Sequence, residues 1–512
     1  LKSYAEMRKA FKKYGTEVWM RGAQTSVEIA KMCKTRIPAW EVRTWQLPKF
    51  PDVEDAFAEL KRLAAIGLKE RQLHRNLEYL ERTKHELKVI KRVGIADFLL
   101  ITRDSIEWAK QQGIPVGPGR GSVCGTLVGY LIGIHKIDPI RYNLRFERFL
   151  NPERPRMPDI DTDFGKIRRS ELFTYVSDKY GEDNVVHVAA YGQMKLKSAF
   201  QSLAKAHGID YPTRIRISKQ MEGGSEDNEI LPPEITEKYP DMVDYMLRLH
   251  GVKKSVSAHP AGVIIAEPSL NIKQLVPEMY IPSTKRWVGQ YELEAIEHMG
   301  LMKQDFLGLR TLDTIDECVK LIERRTGERI DPDSWVPDEE EGDDEVYKML
   351  AEGKCSGVFQ MEGDTNERGC REVEPTCFED VVNITSLYRT GPILAGFPKA
   401  FIKNRQIGKK RIRYLHESLR PILEPTWGVI LYQEQVMDIG QHLAGFTMSQ
   451  VDDIKEAIKH KNAKLMASLK KGLIEGCVRK GFTQENAELL WKQIEGYQLY
   501  SYNRSHAVAY TF

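Results

Sequence analysis

Cysteine is scarce and scattered. Seven thiols in 512 residues, at 33, 124, 318, 355, 370, 377 and 477, form no CxxC pair. The odd count in so long a chain argues against a disulfide framework and for reduced thiols. No apolar run reaches membrane-spanning length and no signal peptide is visible, so a cytoplasmic protein without membrane contact is expected. There is no internal repeat and no low-complexity tract. Net charge is absent too: 76 basic residues against 73 acidic leave +3. The global balance therefore does not announce a nucleic-acid partner, and local clusters must carry that argument.

What is present is an ordinary globular composition, 41% hydrophobic and 29% charged, in a chain too long for one core. Two to four subdomains with both helix and strand are expected. Residues 1–50 are helical in flavour. From about 53 to 112 Leu73, Leu77, Leu80, Leu87 and Ile90 recur at amphipathic spacing, as in solvated helices resting on a core. A helix is predicted over about 166–180. Residues 193–250 read as mostly helical around a polar loop at 221–229. "HPAGVIIA" (259–266) reads as a loop entering a buried strand, "GLMKQDFLGLRTL" (300–312) as a strand leading into a helix, and 313–512 as largely helical.

The stretch "PDIDTDF" (158–164) carries the chemistry. In a strand, residues two apart share a face, so Asp159, Asp161 and Asp163 would stack three carboxylates on one side. Uncompensated, they repel strongly. Either divalent cations such as magnesium sit there, or the aspartates form a solvated ion-pair face with Arg154, Arg156, Arg168 and Arg169. Upstream, "GPGRGS" (117–122) lacks the lysine of a Walker A loop. Its glycines allow close approach to a ligand, Ser122 is placed to cap the following helix, and the helix N-terminus together with Arg120 favours an anion such as phosphate. A third metal-binding carboxylate is expected on an adjacent strand. Asp305 is the candidate, flanked by Leu301, Met302, Phe306 and Leu307, with Lys303 on its side of the strand to reach a phosphate. A Gly-Ser turn upstream of alternating carboxylates is the pattern of nucleotidyltransferases.

Seven motifs then occur in order: "GPGRGSVCGTLVGYLIG", "RFERFLNPERPRMPDIDTDF", "HPAGVIIA", "QDFLGLRTL", "GVFQME", "EPTWGVILYQEQVM" and "YNRSHAVAY". Together, from about residue 15 onward, they resemble the family C DNA polymerases, the bacterial replicative polymerase III α subunits. The resemblance implies an α+β fold: a polymerase-β-like nucleotidyltransferase palm at 51–190 and 261–310, a helical thumb inserted at 191–260, and large helical fingers over 311–512, after an N-terminal linker at 1–50. It implies two Mg2+ ions held by Asp159, Asp161 and Asp305, with Asp163 nearby. It implies triphosphate contacts from Gly121, Ser122, Arg148 and Lys303, beside Arg120, and a nascent-pair pocket lined by Arg504 and His506.

Primer–template DNA and dNTPs are the implied partners. The sliding clamp and other replisome subunits are expected only for a longer protein, of which both ends look like cuts. Without any HxH or HExxH among the twelve histidines, no proofreading or phosphatase centre is expected. The chain departs from the family pattern where Lys455 and Glu456 replace an Arg pair, where "RTGP" (389–392) replaces "RPGP", and where "HPAG" replaces "HAGG". His259 either touches the site or is a structural loop residue, and the run Lys403, Arg405, Lys409, Lys410, Arg411, Arg413 is either a solvated face or a phosphate contact. A template-independent nucleotidyltransferase and an inert nucleic-acid-binding relative are the rival readings. The long fingers region argues against the first and the intact carboxylate set against the second.

Overall fold

The computed structural model describes residues 3–34, 45, 47–51, 53–153, 157–221, 231–267, 269–338, 343–459, 462–498 and 502–512. Arg154, Arg156, most of the polar loop at 221–229 and the side chains of Lys455 and Glu456 lie outside the described residues. The chain divides into two compact units, Leu1–Thr44 and Trp45–Phe512. The first contains helices Tyr4–Phe11 and Thr16–Met32. The former opens on a capping box, in which Ser3 Oγ accepts from the Glu6 amide and the Glu6 carboxylate from the Ser3 amide.

The second unit is built on one mixed sheet of six strands: β1 (Asp161–Gly165), β2 (Val185–Gln193), β3 (Lys253–Ile265), β4 (Glu278–Ile281), β5 (Arg286–Gly289) and β6 (Met302–Leu309), in the order β1-β6-β3-β2-β5-β4. β1 and β6 run parallel, with Asp161 opposite Asp305; β3 runs antiparallel to β6, with Gly262 opposite Asp305. The period of two in β6 separates the two faces. Met302 and Phe306 enter the core and Gln304 donates to Thr102 Oγ1 at 2.7 Å, while Lys303 and Asp305 turn to the other side. Beneath the sheet, Phe164, Phe306 and Phe173 form a chain of ring contacts at 5.6–5.7 Å, covered by helices Ala96–Gln111 and Ser170–Tyr180.

Two expectations about local structure change. "HPAGV" is not a loop entering a strand but lies inside β3, which bulges there: between the pairs Val263–His187 and Ala258–Ala189, five steps of β3 run against two of β2. In helix Leu77–Val93 the predicted leucine stripe is displaced. Leu77 and Leu80 are exposed, and the buried face is Tyr79, Thr83, Glu86, Val89 and Ile90. A glutamate belongs in that stripe because it finds four donors, described below.

The segment between β2 and β3 is helical and has a core of its own, in which Phe200, Ile217, Met242 and Met246 are buried. Beyond β6, helix Arg310–Thr326 leads into a helical region whose C-terminal part, from Leu419 to Ile494, forms a separate core.

Candidate active site

Asp159, Asp161 and Asp305 converge: one oxygen from each lies within 4.8 Å of the others. β1 begins only at Asp161, so Asp159 joins from the segment ahead of the strand, where its side chain is largely exposed. Asp305 is 6% exposed, and its Oδ1 is buried without a hydrogen-bond partner among the described residues. Its Oδ2 accepts from Lys303 Nζ at 2.5 Å, and the same ammonium stands 3.6 Å from Asp159. Burial pulls Lys303 down, but the surrounding carboxylates outweigh it and hold the ammonium above its ordinary value. Burial, then the charges of Asp159 and Asp305, push the Asp161 carboxyl up to about 7.

Asp163 stays outside this triad. Arg120 spans it and Asp161, with Nη1 3.2 Å from Asp163 and Nε 3.6 Å from Asp161. Burial raises the Asp163 carboxyl, with Arg120 opposing. Among the described residues the cations paired with the aspartates are thus Arg120 and Lys303. Arg168 is committed to Glu171 and the Gln112 carbonyl, and Arg169 lies over the Phe173 ring. Among the described residues the formal count is four carboxylates against two cations, and the donors are all oxygen, which suits a hard divalent cation. The orphaned Asp305 Oδ1 supports the same fit, since a buried carboxylate oxygen without a partner is costly.

The glycine-rich loop is fixed against these strands. The Gly117 amide donates to the Asp163 carbonyl at 2.9 Å and the Gly165 amide to the Pro115 carbonyl at 2.8 Å. Gly119 admits no side chain, because an added Cβ would fall 2.6 Å from Cys124 Sγ. After it the chain makes a 3-10 turn, Gly121–Gly125, and only then the α-helix Leu127–Leu131. The predicted cap is therefore wrong: the turn separates Ser122 from the helix, and Thr126 caps it instead. The amides at that helix start are not open to phosphate either. Glu86, fully buried, accepts from Leu127 N at 3.0 Å, Val128 N at 2.9 Å, Thr126 Oγ1 at 2.6 Å and Arg82 Nε at 2.6 Å. A carboxylate of the chain occupies the anion position. Nothing in the local pattern signals this, since Glu86 looks like any solvated helix residue.

Helix Arg504–Thr511 closes on the same loop. His506 Nδ1 accepts from the Gly121 amide at 3.3 Å, and Ser505 Oγ donates to the Gly121 carbonyl at 2.8 Å. Burial, with Arg120 and Arg389, holds the His506 imidazole down at about 4, hence neutral. Arg504 makes a bidentate pair with Glu379 at 2.6 and 2.9 Å and lies over the Tyr432 ring, while its amide donates to the buried Glu434. The Arg504 guanidinium is thus spent on the protein itself. Arg148 is half-buried, its Nε without a partner among the described residues, and close enough to Glu434 to oppose the upward push of burial on that carboxyl. In the basic run, Arg405 fits neither expectation. It is half-buried and binds Asp380 at 2.9 Å and the backbone at 373–374, whereas Lys403, Lys409, Lys410, Arg411 and Arg413 are exposed.

Comparison with known proteins decides the lineage. A family model described as the bacterial DNA polymerase III alpha NTPase domain matches residues 58–308, and one described as the bacterial DNA polymerase III alpha subunit finger domain matches 311–481. The chain belongs to the bacterial DNA polymerase III α-subunit family. It is 38% identical to DNA polymerase III subunit alpha of Aquifex aeolicus (strain VF5), over 97% of this chain and 45% of the relative. The figures are 35%, 95% and 44% for the Escherichia coli (strain K12) subunit, and 34%, 100% and 45% for that of Bacillus subtilis (strain 168). The chain spans less than half the length of these relatives. Within the family match, the first model covers the four aspartates, Arg120, Gly121, Ser122, Arg148 and Lys303; Arg504 and His506 lie beyond both matched ranges. Among the described residues no helix is long and apolar enough to cross a membrane.

Proposed function

We propose that this chain carries the nucleotidyl-transfer centre of a template-directed DNA polymerase. The observation that carries the reading is the convergence of Asp159, Asp161 and Asp305 with a free, buried oxygen on Asp305. These three would hold two Mg2+ ions, which when bound lower the pKa of the attacking hydroxyl and neutralise charge on the phosphates. The primer 3′-hydroxyl gives up its proton to solvent, its oxygen forms a bond to the α-phosphorus of a dNTP, and pyrophosphate leaves with the cleaved P–O electron pair.

Within this reading the chain's own residues divide the work. Asp161 and Asp305, in register on neighbouring strands, fix the metal-binding face. Lys303 and Arg120 carry the positive charge that a triphosphate would meet, with Gly121, Ser122 and Arg148 beside it. Arg504 and His506 act one step back, by holding the glycine-rich loop and the YQEQ segment in place. The sheet regions 51–190 and 261–310 serve as palm, the separately cored insertion 191–260 as thumb, and 311–512 as fingers, with 1–50 as a linker. Template pairing supplies sequence, so the protein needs only phosphate contacts and shape, and it works in the cytoplasm.

The test is primer extension on defined templates with each dNTP supplied alone. Incorporation only of the complementary nucleotide supports the reading. Extension regardless of template points to an untemplated transferase, and no incorporation alongside DNA binding points to an inert relative.

A further inference from the structure

We propose that the bulge in β3 is a positioning device for Asp305: the absent side chain of Gly262 reserves the space beside Asp305 Oδ1, and the His259 ring locks the bulge that sets Gly262 there. The inference rests on the reading of Asp305 as a metal ligand.

Gly262 is the cross-strand neighbour of Asp305. It is not among the glycines with positive φ, so nothing in its backbone conformation demands glycine. Space does. A Cβ at 262 would lie 3.1 Å from Asp305 Oδ1, 2.9 Å from His259 Nδ1 and 3.3 Å from Val188 Cγ2. Val188 is a buried core residue on β2, so it cannot retreat, and the crowding would fall on the carboxylate and the imidazole. The oxygen that would be displaced is the one without a partner among the described residues, the one left for a cation.

His259 explains how the bulge keeps its shape. Its Nδ1 accepts from the Gly262 amide at 2.7 Å and from the Ala261 amide at 3.3 Å. In a bulge the extra residues leave the ladder, and their amides need other acceptors. The ring nitrogen that accepts carries no proton, which fixes the tautomer with hydrogen on Nε2. His259 thus acts through the backbone of Gly262, and Gly262 through Asp305; both are positioning residues.

The experiment compares Gly262→Ala, His259→Leu, His259→Asn and Asp305→Asn in the full chain. Mn2+ binding is followed by electron paramagnetic resonance, single-nucleotide incorporation is resolved into kcat and KM for dNTP, and folding is checked by circular dichroism. An asparagine Oδ1 occupies the place of Nδ1 and can accept the same amides. Gly262→Ala should fold and weaken Mn2+ binding by about 10- to 100-fold, lowering kcat by roughly 100-fold with little change in KM. His259→Leu should do the same more mildly, and His259→Asn should recover most of the loss. Wild-type Mn2+ affinity and kcat in Gly262→Ala overturn the proposal. Should that variant fail to fold, the histidine pair decides, and His259→Asn as impaired as His259→Leu overturns it. Undiminished Mn2+ binding by Asp305→Asn removes the metal reading itself, and the proposal with it.

Discussion

Without a metal, Asp161 is a burden on the fold, and its removal should stabilise the protein while ending the proposed nucleotidyl transfer. An aspartate whose pKa rises from 3.8 to about 7 costs the folded state up to about 4 kcal/mol once ionised, at about 1.4 kcal/mol per pH unit. The sign is that of a raised acid. The folded state binds the proton more tightly, so the cost is absent below about pH 4, grows between 4 and 7, and is complete above 7. The side chain is 29% exposed, so solvent screens part of this cost, and Arg120 loses one of its two carboxylate partners in the variant, worth roughly 0.5–1 kcal/mol. Asp161→Asn should therefore gain about 1–3 kcal/mol in EDTA at pH 8, a few degrees in Tm for a chain of this size, and gain nothing at pH 4. Scanning fluorimetry at the two pH values measures it. Added Mg2+ should raise the wild-type Tm at pH 8 and leave the variant unmoved, because the ion relieves the same repulsion. A variant that melts below wild type in EDTA at pH 8, or whose advantage is equal at both pH values, refutes the electrostatic argument.

Asp305→Asn should abolish nucleotide incorporation with the fold intact, whereas Asp178→Asn, exposed on helix Ser170–Tyr180, should leave primer extension unchanged. Lys303→Ala and Ser122→Ala should raise the KM for dNTP about 10- to 100-fold, the equivalent of roughly 1.5–3 kcal/mol per charge-assisted contact; a loss of DNA affinity instead would assign them to the nucleic acid. Glu86→Ala should cost about 3–5 kcal/mol, because Arg82 and the amides of Leu127 and Val128 lose a buried acceptor; urea denaturation reads the loss.

Much of the site was legible because its signals are local. The alternation of Met302, Lys303, Gln304, Asp305 and Phe306 fixes which side chains share a face, whatever the strand's neighbours are. The aspartates of "PDIDTDF" announce themselves by mutual repulsion. Other features depend on partners distant in sequence. Glu86 is 41 and 42 residues from the amides it caps, so periodicity places Leu77 and Leu80 on the buried face although both are exposed. The two-stranded β4–β5 hairpin had no announcement, and the HPAG part of β3 reads as a loop because the bulge interrupts the alternation there. Arg504 looked free to grip a ligand, and only Glu379, far away along the chain, shows that it is engaged.

The division of β6 into two faces accounts for the placement of so much charge in so small a region. The core face of the strand is anchored by Phe306 in the aromatic cluster and by Gln304 on Thr102, contacts that the carboxylates opposite do not share. Repulsion between Asp161 and Asp305, in register on the two strands, therefore has no easy mechanical outlet. β1 cannot slide away, since its ladder to β6 runs from Asp161 to Gly165 and its end is tied down by Asp313, which accepts from the Lys166 amide at 2.7 Å. The strain appears instead as the raised Asp161 carboxyl and the unpartnered Asp305 oxygen, both of which a cation would relieve. A site held this way keeps its geometry whether or not it is charged, which is what preorganised electrostatic stabilisation requires.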